Sequence, residues 1–410
     1  MKLNLRGLTP PGCGNAHSRV RIDLFAPRNR QRPIGALLTR HSYRLVSLDG
    51  LRGLAAVVVL VHHAALIVPS LAGVYFPGPP ATGLAGILAY TPLHLAWAGG
   101  EAVFLFFVLS GLVLALPATR GELDWARYYP SRLARLYLPV LAAIAFTALS
   151  IVVVSRDGQS ASQWLEMHPK SYTVSGMVAD ATLLDGVSGT VTPLWSLKWE
   201  VLFSVLLPIY VAIARMISPA LVMASSLVLL AVGSTFQSGV LMYLPMFAIG
   251  VALAHVWPHV SAWAEAVNGS RLGWMAWGGI LIASATLTLS TWMFNPLRLG
   301  LGALTMPLIL IGVLGIILLA AFSPFARWML SRRIFVWLGT LSFSLYLTHE
   351  PIVVAFGFLL PMHPQLAAVG SVCCAFPLAW LFHKFVERPS HRFAQRVGTH
   401  RSSALEESRT

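Results

Sequence analysis

Leu95–Leu116 reads LAWAGGEAVFLFFVLSGLVLAL, twenty-two residues with one ionisable side chain, Glu101. At about 1.5 Å per residue, a helix of that length covers the roughly 30 Å of a bilayer's hydrocarbon core. Working outward, nine further runs of similar character follow: Leu51–Val68, Leu136–Ser155, Leu194–Ala214, Ala220–Phe236, Val240–Trp257, Leu272–Met293, Leu299–Phe322, Ile334–Leu359 and Leu366–Phe385. The expected fold is therefore an all-α, polytopic membrane protein of about ten transmembrane helices. Composition agrees: apolar residues make up 56% of 410 and charged residues 11%, with a mean hydropathy of +0.71, which excludes an ordinary water-soluble domain.

Charge sets the expected orientation, because Lys and Arg collect in cytoplasmic loops. Ahead of the first span, Met1–Arg44 holds nine Lys/Arg and one acid, Asp23. Alternate breaks carry Arg120, Arg127, Arg132 and Arg135, then Arg327, Arg332 and Arg333, and the tail carries Arg388, Arg392 and Arg396. The third break, with Asp157, Glu166, Asp180 and Asp185, faces the other way, and so does the nearly uncharged stretch Pro69–His94. Both termini are expected in the cytoplasm. Residues 1–44 read as a basic, disordered arm or an over-long start, 45–392 as the membrane domain and 393–410 as a short cytoplasmic tail, with no soluble domain appended.

The net charge of +14 sits mainly beside the spans, so anionic membrane lipids are the expected partners and nucleic acid is not. Cys13, Cys373 and Cys374 suggest neither a disulfide framework nor a metal site. No permanently bound cofactor is expected.

Ionisable side chains inside spans are costly and point to chemistry. Arg52 and His63, eleven residues apart, share one helix face and lie about 16 Å apart in depth. Arg52 alone is equally well read as a topological anchor. A His62-His63 pair near mid-depth suggests function, because imidazole abstracts protons near neutral pH. Glu101 enters from the outer side to about the depth of His63, where a carboxylate could orient the ring. Against that stands a purely structural pairing of Glu101. Ser110-Gly111 reads as a close helix-packing point rather than a nucleophile. Arg132 and Arg135, one turn apart, form a two-pronged anion site or a topology anchor. Trp195, Lys198 and Glu200, and further on His349 and Glu350, bring polar groups to the outer third of two more spans.

Six stretches in order resemble the acyltransferase-3 family of membrane O-acyltransferases. They are Leu48-Asp49-Gly50-Leu51-Arg52-Gly53 through His63, Phe106-Phe107-Val108-Leu109-Ser110-Gly111, Arg132-Leu133-Ala134-Arg135, Trp195-Ser196-Leu197 with Glu200, Ser342-Phe343-Ser344-Leu345-Tyr346-Leu347 with His349, and Val386-Glu387-Arg388-Pro389. The resemblance implies a ten-helix core that takes an acyl group, often acetyl, from coenzyme A and delivers it to a sugar, lipid or other hydroxyl. It places Arg52, Arg132 and Arg135 on acyl-CoA and His63 as general base with Glu101 behind it. Trp195, Glu200 and His349 are expected at a carbohydrate or glycolipid acceptor. One departure is that many members carry an acid just before the Phe-Phe-Val run, where this chain has Phe104 and its acid at Glu101. A bacterial inner membrane is the expected location. The competing reading is a multi-pass transporter or flippase, for which no inverted repeat stands out.

Overall fold

The computed structural model describes residues 46–121, 123–183, 187–294 and 301–407; the basic arm, Cys13, Asp185 and the start of the Leu299 run lie outside these. Among the described residues the chain is helical, without strands. Each apolar run forms a helix: α1 Val46–Ala65, α2 Gly99–Thr119, α3 Trp125–Val153, α4 Leu194–Met216, α5 Pro219–Thr235, α6 Gly239–Gly269, α7 Gly273–Thr288, α8 Thr305–Phe322, α9 Arg333–Leu359 and α10 Pro364–Phe382. A π-helical turn, His383–Glu387, leads into α11, Arg388–Glu407.

Eight helices among the described residues are long and apolar enough to cross a membrane, in a multi-pass protein. The two that fall short, α5 and α7, have 17 and 16 residues. Their hydrophobic runs are cut by the turn at Phe236-Gln237-Ser238 and by a break at Leu289. Large apolar side chains such as Val152, Val228, Ile282 and Val369 face outward, as lipid contact requires.

Two helix boundaries differ from the sequence reading, and both matter for the site. α3 begins eleven residues before Leu136, because Asp124 caps it by accepting from the backbone N–H of Ala126 and Arg127. Arg132 and Arg135 are therefore inside a helix rather than in a break. α1 ends at Ala65, ahead of Pro69, so His62 and His63 occupy its last turn.

α9 forms the buried centre: 78% of its most apolar stretch is inside, against 28% for the span that contains α10. It packs along α1, while α2 packs along α6. The second pair meets at glycines. A Cβ on Gly111 would stand 2.3 Å from the Phe247 carbonyl oxygen, and one on Gly250 2.2 Å from that of Val108. This is the small-residue contact that lets helices associate where no hydrophobic drive operates.

Two connecting stretches fold over the end of α1 that carries the histidines. Residues 66–98 contain short helical turns and supply Tyr75, His94 and Trp97. Residues 154–193 are pinned by Asp180, fully buried, which accepts from the Tyr172 hydroxyl at 2.5 Å and from the backbone and hydroxyl of Ser188 at 2.7 Å each. That acid, counted in the sequence as surface charge, is a structural clasp.

Candidate active site

At the end of α1, His63 meets His349 of α9, with ring centroids 4.9 Å apart and His349 Nε2 3.1 Å from His63 Nδ1. The proton positions follow from the acceptors that each nitrogen faces. His349 Nδ1–H donates to the Leu345 carbonyl at 3.0 Å, which leaves its Nε2 as an acceptor. His63 Nδ1–H then serves both that nitrogen and the Val59 carbonyl, 2.9 Å away. His63 Nε2 keeps its lone pair and has no hydrogen-bond partner among the described residues.

His62, about 100° further round the helix, points elsewhere. Its Nδ1–H donates to the Trp97 carbonyl at 3.0 Å, and the Tyr75 hydroxyl lies 3.2 Å away. Gly99 admits the ring: a Cβ there would come within 2.5 Å of it.

Behind His349 comes Glu350, fully buried on α9. Its carboxylate gathers both ends of the second half of the overlying loop. The backbone N–H of Thr192 donates to Oε2 at 2.6 Å, the Thr192 hydroxyl donates to Oε1, and His168 Nε2 stands 3.1 Å from Oε1. His168 Nδ1 faces the Trp164 carbonyl at 3.0 Å. Trp164 fills the space between, its ring 4.5 Å from His168 and 5.7 Å from His63.

A second cluster forms along α3, α4 and the turn before α11. Arg132 pairs with Glu200 at 2.6 Å and donates through Nε to the Ser204 hydroxyl at 3.3 Å. Arg135, exposed, lies within electrostatic reach of Arg52, Arg132, Glu200 and Glu387, and makes no hydrogen bond or ion pair among the described residues. Glu387 accepts from Ser344 of α9 at 2.5 Å and is 2.9 Å from His383 Nδ1. Three guanidinium groups thus share two carboxylates, an excess of positive charge suited to a phosphate-bearing ligand.

One expected contact is not made. Glu101 does not reach His63. It accepts from Trp292 Nε1 at 2.9 Å, and Trp292 packs on Tyr75, so the acid stands behind His62. The reason is angular: the start of α2 faces the His62 side of α1, while His63 faces α9. Glu200, expected at the acceptor, pairs with Arg132, which lies in the eleven residues that α3 adds before Leu136. Trp195 joins an aromatic group with Tyr243 and Phe107, at 5.0 and 6.1 Å, between α2, α4 and α6. Arg52 and His63 remain on one continuous helix, as the spacing predicts.

Sequence reasoning missed His168 and Thr192, which lie in a loop without a recognisable signature. Glu350 was visible as an acid inside an apolar run, but its partners come from more than 150 residues away.

His63, half-buried with one accessible lone pair beside the buried His349, and an arginine cluster that α1 reaches through Arg52, make up the candidate site of a multi-pass membrane protein. The chain belongs to the acyltransferase 3 family, whose acyltransferase domain matches residues 45–384. It is 26% identical over 417 aligned positions to YrhL of Bacillus subtilis (strain 168), named for peptidoglycan O-acetylation, covering 88% of this chain and 58% of that one. It is 25% identical over 394 positions to the peptidoglycan O-acetyltransferase OatA of Listeria monocytogenes, covering 86% and 56%. With the acyltransferase MdmB of Streptomyces mycarofaciens it shares 29% over 177 positions, 42% of this chain and 41% of that one. The chain thus spans little more than half the length of the longest-matching relatives. No solved structure matches it.

Proposed function

We propose that this protein transfers an acyl group, acetyl in the first instance, from acyl-CoA to a hydroxyl of a carbohydrate or glycolipid. The observation that carries the reading is the free Nε2 of His63, held as a base by two acceptors on its other nitrogen. Family membership and the names of YrhL and OatA support an O-acetyl transfer to a glycan.

In this reading Arg135 and Arg52 take the phosphates of coenzyme A, Arg132 is held in place by Glu200, and the pantetheine arm runs along α1. Arg52 and His63 are separated by about 16 Å of helix, which suits a donor whose charged and reacting ends are far apart. The acceptor hydroxyl gives its proton to His63 Nε2 as its oxygen attacks the thioester carbonyl. The carbon–sulfur bond breaks, the imidazolium returns the proton to the departing thiolate, and an ester and free coenzyme A remain. His349 fixes the tautomer of His63; Glu101 acts at one remove, through Trp292 and Tyr75 on His62. Trp195 belongs to the aromatic wall of the passage.

The same reading keeps ten membrane crossings, with α5 and α7 as short spans, both termini in the cytoplasm with the donor, and a bacterial inner membrane as the location. The test is thiol release from acetyl-CoA by purified protein in liposomes, with and without an added glycan. Acceptor-dependent release that disappears in folded His63→Ala is expected. Absence of binding and release across a panel of donors and acceptors overturns it in favour of a transporter.

A further inference from the structure

A cavity of about 390 Å³ opens in the 154–193 loop, behind the wall formed by His168. Nothing in the sequence marked it. Arg156, Gln159, Glu166 and Lys170 supply its polar lining, and Leu165 and Phe358 an apolar side. The volume is within the range of pockets that take small organic ligands.

Arg156 is the unusual member. It is 3% exposed, yet its guanidinium makes a single hydrogen bond among the described residues, Nη1 to the Pro169 carbonyl at 3.1 Å. A buried guanidinium normally satisfies most of its five donors. The unused N–H groups belong to a residue that lines the cavity, and so does the exposed Lys170, whose ammonium has no partner among the described residues. Glu166 is already engaged by the Ser160 hydroxyl at 3.0 Å. His168 is committed to Glu350. Two cations against one carboxylate leave room for one negative charge.

We propose that this cavity is an acceptor subsite for a carboxylate-bearing sugar unit, with Arg156 forking the carboxylate and Lys170 closing over it. A monoanion balances the lining, whereas a phosphate dianion would crowd Glu166. An apolar side opposite the charged one suits a sugar ring, which presents C–H faces as well as hydroxyls. His168 joins this cavity to the candidate centre, since its ring packs on Trp164 and Trp164 packs on His63. A glycan bound here by its acidic unit would lie against the shell of the base. The proposal rests on the acyltransferase reading for its purpose, but its binding claim stands separately.

The test uses the full chain in nanodiscs and three probes of one ring size: methyl glucuronide, methyl glucoside and glucose 6-phosphate. Binding is read by saturation-transfer NMR and by Trp fluorescence. The glucuronide is expected to bind about tenfold more tightly than the glucoside, the scale of one charge-assisted contact. Lys170→Gln, an exposed change that does not threaten folding, is expected to remove most of that preference, Arg156→Gln the whole of it, and raised salt to weaken it. Glu166→Gln is expected to widen it. Equal binding of glucuronide and glucoside by the wild type overturns the proposal, and so does tighter binding of glucose 6-phosphate. Charge-selective binding without thiol release toward any acceptor would keep the subsite and sink the transferase reading instead.

Discussion

The two polar clusters solve the cost of polarity in an apolar protein in opposite ways. Around His63 the neutral rings satisfy one another and nearby carbonyls, and one lone pair is left over. Around Arg132 and Arg135 the groups are charged, and carboxylates offset only part of the charge. The first cluster is short of a proton and the second is short of an anion. In the proposed reaction a thioester donor with phosphates at its far end would supply what the second lacks, and a hydroxyl acceptor what the first lacks.

The largest effect that separates them is His63→Ala, expected to lower turnover about 10³-fold while acyl-CoA still binds. Thiol release measured beside equilibrium binding checks both halves, and loss of binding would merge the two clusters into one. Glu350→Ala is expected next. Removing a buried carboxylate strands His168 and the Thr192 N–H, costing about 3 kcal/mol of stability by thermal melting in detergent. Glu350→Gln, which can still accept from Thr192, should lose less.

Arg132→Ala with Arg135→Ala should weaken acyl-CoA binding about 100-fold with a smaller effect on saturated turnover. A turnover defect at saturating donor would break the division of labour. His349→Ala should cost about tenfold in turnover, the size of one tautomer-fixing hydrogen bond, with donor affinity unchanged.

The smallest expected effect concerns His94, which stacks on Trp292 at 4.3 Å in the segment beside the histidine cluster. Burial pushes its ring down to about 4, from an ordinary value of about 6.5. The fold therefore favours the neutral form. Its contribution to stability is complete above about pH 6.5 and is lost as pH falls through about 4. Hydrogen exchange of residues 69–98, corrected for intrinsic rates, should accelerate between pH 7 and 5 in the wild type and not in His94→Phe.

The sequence by itself determined the class of fold, because twenty-residue apolar runs have few options outside lipid. It also determined the Arg52–His63 relation, since both sit on one helix and helical geometry is local. That Ser110-Gly111 is a packing point was legible from small residues in an apolar run, but not that Gly250 faces it. What only the tertiary structure decided is which groups meet across elements. That His63 turns to α9 and His62 to α2 depends on the rotation of α1 against its neighbours. That Arg132 finds Glu200 depends on where Asp124 starts a helix. Glu350 finds its partners in a loop whose path no periodicity encodes, since hydrogen bonds between distant segments leave no spacing in the chain.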